Sequence, residues 1–285
     1  SFTPDSVVFI VFHAGLSQDF SYPSIDPTVY DLKSAYIDQE MMSNILPPTI
    51  EQGNISYDIS TGILLPETQN IIYFDVVEDI FGNPDYGTDD LCDIQIGLTG
   101  IFSLYLGYEL GLPEMFNPET GDPGIGFFGL MDHGSNNGRG VIPAAPSPWT
   151  RSLPDLEWSF IDTISPVQSL DTISVYSLDS LNTLIRIDIN ENEYFLFENR
   201  NNWVFPGIDI DSLRRKNKID DNTLGHWFDS VVEEFPEDKI QIDEETKVIT
   251  WFDHYDYGLA GSGILIWHIN EPDQIDINIG VNSDL

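Results

Sequence analysis

Gly97-Leu98-Thr99-Gly100-Ile101-Phe102-Ser103-Leu104-Tyr105-Leu106-Gly107-Tyr108-Glu109-Leu110-Gly111-Leu112-Pro113-Glu114 carries the strongest structural signal in the chain. Leu98, Ile101, Phe102, Tyr105 and then Glu109 or Leu112 recur at three- and four-residue steps, which is the rhythm of a helical face. Thr99 is the expected cap. Gly111 fits the stop, and Pro113 just beyond it cannot continue a helix. The segment is nearly apolar all round, so a buried helix over Gly97–Leu110 is predicted.

Outward from this helix the pattern changes twice. Residues 117–148 are rich in Gly, Pro and Asn and predict a long loop with special backbone needs, of the kind that packs over a site. On the N-terminal side, Val7-Val8-Phe9-Ile10-Val11-Phe12 is a run of β-formers without alternation, which predicts a buried strand. Asn54–Leu65 reads as a hairpin turning at Ser60-Thr61-Gly62, Ile71–Val77 as a strand, and the acidic stretch Asn83–Asp93 as a loop. Beyond Trp158 the pattern turns to β, with strands expected at Thr172–Ser177, Thr183–Ile189, Glu193–Glu198, Lys239–Ile242, Val248–Phe252 and Gly263–Ile269. The expected architecture is α+β: a mixed sheet with a buried helix in residues 1–157, followed by a β-rich domain or extension in residues 158–285.

The 285 residues carry 11 Lys and Arg against 48 Asp and Glu, a net charge of −37. Phosphate contacts need clustered cations, so nucleic acid and anionic membrane surfaces are excluded as expected partners. With 41% hydrophobic residues the chain is too apolar for a disordered acidic tail. The longest clean apolar run is the six residues Val7–Phe12, far short of a membrane span, so membrane insertion is not expected. One cysteine, Cys92, allows no intrachain disulfide, which fits a cytosolic chain and a secreted one equally. Beside Asp90 and Asp93 its thiol is no expected nucleophile. Ser1 in place of Met reads as a processed product or a piece of something longer.

The helix and the segments C-terminal to it resemble the immune-inhibitor-A-like secreted zinc metallopeptidases. Gly100–Glu114 is similar to that family's zinc helix, which runs roughly G-V-F-A-H-E-x-G-H-x-L-G-L-P-D. Gly129-Leu130-Met131-Asp132-His133-Gly134 resembles the methionine turn beneath the zinc. Asn137-Gly138 through Pro148-Trp149, Glu193–Arg200 and Gly263–Ile269 match further family segments in order, and Val8–Gly15 looks like the strand ahead of the helix. The resemblance covers most of residues 7–270, and the ordered set is more specific than any one part. It implies a metallopeptidase-like domain that begins part-way in, an extracellular or cell-surface location, and a protein partner or surface assembly, the upstream part of the same precursor among the candidates.

In the family, two histidines and a glutamate in H-E-x-x-H hold zinc and its water. Their places here hold Leu104, Tyr105 and Tyr108, and the third ligand corresponds to Glu114. Positions i and i+4 share a helical face, so two imidazoles there can grip zinc at about 2.0–2.1 Å. The glutamate then works on a water whose pKa the metal lowers toward ~7. Leu104 has no lone pair. Tyr108 ligates only as a phenolate, and a free phenol loses its proton near ~10; Tyr105 is a poor base at neutral pH for the same reason. The expectation is therefore no zinc, no general base and no catalytic residue, with Met131 an ordinary core methionine. The chain then reads as a catalytically inactive structural or binding module.

The alternative is an active secreted metallopeptidase with a nonstandard metal or a relocated site, for which Glu114, Asp132 and His133 are the candidates. No cofactor is expected apart from calcium, for which Asp85, Asp89, Asp90 and Asp93 in one cluster and Asp209 and Asp211 in another are candidates. None of these completes a twelve-residue calcium loop, and solvated surface aspartate is the default reading of each.

Overall fold

The computed structural model describes residues 7–17, 19, 31–44, 49–53, 55–69, 71–78, 84–94, 96–153, 162–164, 174–177, 183–209, 212, 238–243, 249–259 and 261–271; at 52, 71–78, 84–94, 162–164, 183 and 209 the description is of the backbone. The chain is mixed α+β, with several small sheets and few helices. Strand β1 (Ile10–Leu16) runs parallel to β5 (Gly62–Thr68), and β2 (Ala35–Ile37) pairs antiparallel on the other side of β5. Helix α1 (Gln39–Ser43) follows β2, with Asp38 accepting a bond from the Met41 amide at its start. Strands β3 (Thr49–Gln52) and β4 (Ile55–Asp58) form a hairpin, as do β6 (Ile71–Glu78) and β7 (Pro84–Ile94). Helix α2 spans Leu98–Glu109 and short helix α3 Pro148–Arg151.

The C-terminal half builds a four-stranded sheet in the order β15 (Gly263–Asn270), β10 (Glu193–Arg200), β9 (Thr183–Asp188), β8 (Asp162–Ile164). Two small hairpins complete it: β11 (Trp203–Phe205) with β12 (Ile208–Asp209), and β13 (Ile240–Ile242) with β14 (Ile249–Phe252). The expected strands at 183–189, 193–198, 239–242, 248–252 and 263–269 all have counterparts here. That at 172–177 lies partly outside the described residues, and its described end makes one bridge, Ser177 to Asn199.

Several expectations are corrected. The helix starts at Leu98 with Gly97 as its cap residue, and Thr99 lies inside the first turn. Gly97 is set by backbone contact: its amide donates to the Arg139 carbonyl at 2.8 Å. A Cβ at Gly100 would lie 1.9 Å from the Ser135 carbonyl oxygen, so the loop can cross α2 only where no side chain intervenes. The stop is as expected. Gly111 has φ +78°, its amide donates to the Tyr108 carbonyl, and the Leu112 amide donates to the Gly107 carbonyl, which together satisfy orphaned helix carbonyls.

The helix is also less enclosed than its composition implies. Gly100, Leu104 and Gly107 form its buried stripe, while most of the rest is half-buried, with α2 lying against β2 and β5. The acidic loop expected at 83–93 is strand β7, because β6 supplies a backbone ladder that outweighs poor β-propensity. The hairpin expected over 54–65 turns earlier, at Gly53 (φ +67°), and Gly62 opens β5 instead. The strand expected to be buried at 7–12 begins at Ile10 and is exposed.

Two apolar cores hold the second part of the chain. One gathers Leu104, Leu112, Met115, Leu130, Met131 and Trp149 with Tyr194 and Leu196 of β10. The other joins Ile142 to Val204, Ile240 and Tyr257. Residues before and after position 157 thus pack into shared cores; residue 157 itself lies outside the described residues.

Candidate functional site

Leu104, Tyr105 and Tyr108 project from neighbouring faces of α2, and the turn at Met131 closes beneath them. Met131 is fully buried, and its sulfur sits where a side chain on Gly107 would be, 2.5 Å from an ideal Cβ. Glycine at 107 therefore lets the turn reach the helix backbone between Leu104 and Tyr108. Leu104 is itself buried in the same apolar cluster as Met131 and Leu112. Burying such a side chain contributes roughly 1.5–3 kcal/mol.

The two phenols are placed differently. Tyr105 donates to the Ser34 carbonyl at 3.1 Å. The Tyr108 hydroxyl lies close to the Glu114 carboxylate. Burial, then the Glu114 charge, pushes the Tyr108 phenol far above its ordinary range. Burial, then Asp19, raises Tyr105 to about 12. Glu114 is raised by burial, partly offset by the neighbouring Tyr108 hydroxyl. Both phenols are thus neutral at physiological pH, and Tyr105 acts as a hydrogen-bond donor.

Tyr36 of β2 completes the cluster. Its ring centre lies 5.6 Å from that of Tyr108, which lies 6.0 Å from that of Tyr105. Its hydroxyl donates to Glu109 Oε2 at 3.1 Å, and Thr61 donates to Glu109 Oε1 at 2.9 Å. Nothing in the sequence pointed to Tyr36, which stands on a three-residue strand far back in the chain from Tyr108.

These groups predict an alkaline transition. Tyr36, like Tyr105, is raised to about 12, again chiefly by burial. Their folded pKa values exceed the unfolded value near ~10, so the folded state holds the protons longer. Stability is fully present below that unfolded pKa and falls as pH rises through the folded values. Urea titrations across this window should show the decline, and the Tyr36→Phe/Tyr105→Phe double variant should flatten it. An unchanged slope in the variant would count against these buried phenols as its source.

Among the described residues, Glu114, Asp132 and His133 are not brought together as a three-ligand group. Asp132 is buried. Its Oδ2 accepts the amides of Gly124, Ile125 and Gly126 at 2.7–2.9 Å, and its Oδ1 accepts the His133 amide at 2.6 Å. With three amides on Oδ2 and one on Oδ1, Asp132 fastens the loop at 124–126 to the turn at Met131. The His133 ring pairs with the Gly121 carbonyl at 3.2 Å and lies near Phe127. Among the calcium candidates, Asp85 and Asp93 occupy ladder positions in β7, and Asp89 and Asp90 lie where its register shifts. Asp209 pairs with Trp203, and Asp211 lies outside the described residues. Among the described residues, no three His, Cys, Asp or Glu side chains are placed to hold one ion.

A buried ionic chain lies on the inner face of β10. Arg151 Nη2 donates to Glu198 Oε2 at 2.5 Å and Arg200 Nη1 to Glu198 Oε1 at 3.2 Å. Arg200 Nε and Nη2 grip Asp256 at 2.6–2.9 Å. Trp267 Nε1 also donates to Glu198, at 3.1 Å, and the Asn201 amide donates to Asp256 at 3.1 Å. The four charged groups balance and tie α3, β10 and the turn at 254–258 together. Their sequence signal was the period of two: Tyr194, Leu196, Glu198 and Arg200 all point inward, so two charges fall on an apolar face.

Comparison with known proteins gave no match: no family model, no curated protein and no solved structure is similar to this chain.

Proposed function

We propose that this chain is a metallopeptidase-like domain without peptidase chemistry, working outside the cell as a structural or binding module for a protein partner or surface assembly. The observation carrying this reading is the state of the helical face that the sequence resemblance equates with zinc binding. Leu104 is core, Tyr105 is a neutral phenol hydrogen-bonded to Ser34, Tyr108 is a neutral phenol beside Glu114, and Met131 packs against Gly107. The donor set does not fit zinc: a hydrocarbon, two phenols held protonated and one carboxylate replace two imidazoles and a base. The ring of scaffold features is kept, including the Gly111 stop and the turn at Met131, which is consistent with a fold valued for its surface.

Among the described residues no helix is long and apolar enough to cross a membrane. Calcium remains part of the proposal through the aspartates at 85–93 and 209–211. Through binding or screened self-repulsion at a net charge of −37, added calcium or moderate salt should raise the melting temperature. A melting temperature indifferent to both would count against that expectation.

The test of the main reading is an assay of the purified chain on a denatured protein with and without a zinc chelator. No chelator-sensitive cleavage is expected. Cleavage that stops on chelation and returns with zinc would establish the alternative, an active metallopeptidase.

A further inference from the structure

We propose that the outer edge of β1 is a docking site for an extended, apolar strand of a partner protein, flanked by Lys or Arg. The inference goes beyond the proposed function and does not depend on what the α2 helix does. It starts from a conflict. Val7–Phe12 has the composition of a strand enclosed on both faces, and the adjacent β5 is enclosed, with Ile63 1% and Leu65 0% exposed. One strand further out, Val11 is 58% and Phe12 61% exposed, and Val8 and Ile10 are exposed as well. Among the described residues β1 pairs with β5 alone, and none of them pairs with its other edge.

The backbone says what fits there. The Ile63 amide donates to the Phe9 carbonyl at 2.9 Å. In the alternation of a strand, Phe9 and Val11 then turn their amides and carbonyls toward β5, while Ile10 and Phe12 turn theirs outward. An extended chain is the ligand that satisfies such a row. Natural edges are protected against this by charge, proline or a bulge. Val7–Leu16 holds no Asp, Glu, Lys, Arg or Pro, in a chain that is 21% charged. Its register shifts only after His13, and Gly15 donates to Glu67 at 3.3 Å, which ends the open stretch. The occupant must therefore present apolar side chains beside Val8, Ile10, Val11 and Phe12. Charge selects its source: two copies each at −37 repel, whereas a partner with basic flanks is drawn in.

The probe is a capped heptapeptide alternating valine and threonine between terminal lysines, compared with the same peptide N-methylated at alternate amides. Binding is read by fluorescence anisotropy and by hydrogen exchange at the Ile10 and Phe12 amides of the full chain. The expected result is saturable binding that slows exchange at both amides, and affinity about tenfold or more weaker for the N-methylated peptide, the loss expected from one or more backbone hydrogen bonds. Phe12→Pro removes an outward amide and should weaken binding similarly, with the melting temperature checked alongside; the peptide comparison stands if that variant does not fold. Equal affinity for both peptides, no saturable binding, amides already protected in the free chain, or a dimer of the chain formed through this edge would each overturn the proposal.

Discussion

Asp256→Ala is expected to destabilise the fold by about 3–5 kcal/mol, because it strands a buried guanidinium. Arg200 is 1% exposed, and Asp256 accepts three of its hydrogen bonds. Removing the carboxylate leaves Arg200 with Glu198, which Arg151 already shares, so two cations compete for one anion in a dry site. Asp256 also accepts the Asn201 amide, so backbone is left unsatisfied as well. Equilibrium urea unfolding measures the loss. A double-mutant cycle with Arg200→Met separates the pair from packing. If the double variant is more stable than Asp256→Ala alone, the stranded charge is the cause; additive losses would contradict that account. The effect should extend to the Arg151 region, since Glu198 links both arginines.

The largest gain is expected from Leu104→His, Tyr105→Glu and Tyr108→His combined. The two imidazoles would share one face of α2 one turn apart. Tyr108 already lies close to Glu114, and Met131 lies beneath at Gly107. With Glu114 as third ligand the variant should bind zinc with a Kd on the order of 1 μM or tighter, equivalent to about −8 kcal/mol. Isothermal titration gives the affinity, and circular dichroism shows whether the variant folds. A folded variant that ignores zinc would mean that the helix has been wrongly equated with a metal-binding one.

The helix and its stop were legible because they depend on local chemistry. Gly111 takes a left-handed backbone and Pro113 bars continuation, and both facts are written in the residue types. The C-terminal strands were legible for the same reason, through period and β-branched content. Strand β7 was hidden because its partner β6, and not its own acidic residues, holds it in the sheet. The start of α2 was hidden because Gly97 is fixed by the distant loop residue Arg139, which no local pattern reveals. In the candidate site, Leu104, Tyr105, Tyr108, Glu114 and Met131 could be named from sequence. Their contacts with Ser34 and Tyr36 could not, since those come from a region far back in the chain. The exposure of β1 is the clearest case where local pattern and tertiary placement disagree, and that disagreement motivates the docking edge.

Whether α2 can hold a catalytic ion at all is best decided by counting metal on the unaltered chain. After equilibration with zinc and removal of loosely bound ions, native mass spectrometry should show the metal-free mass as the dominant species. A single zinc retained on every chain, lost on Glu114→Ala, would contradict the account.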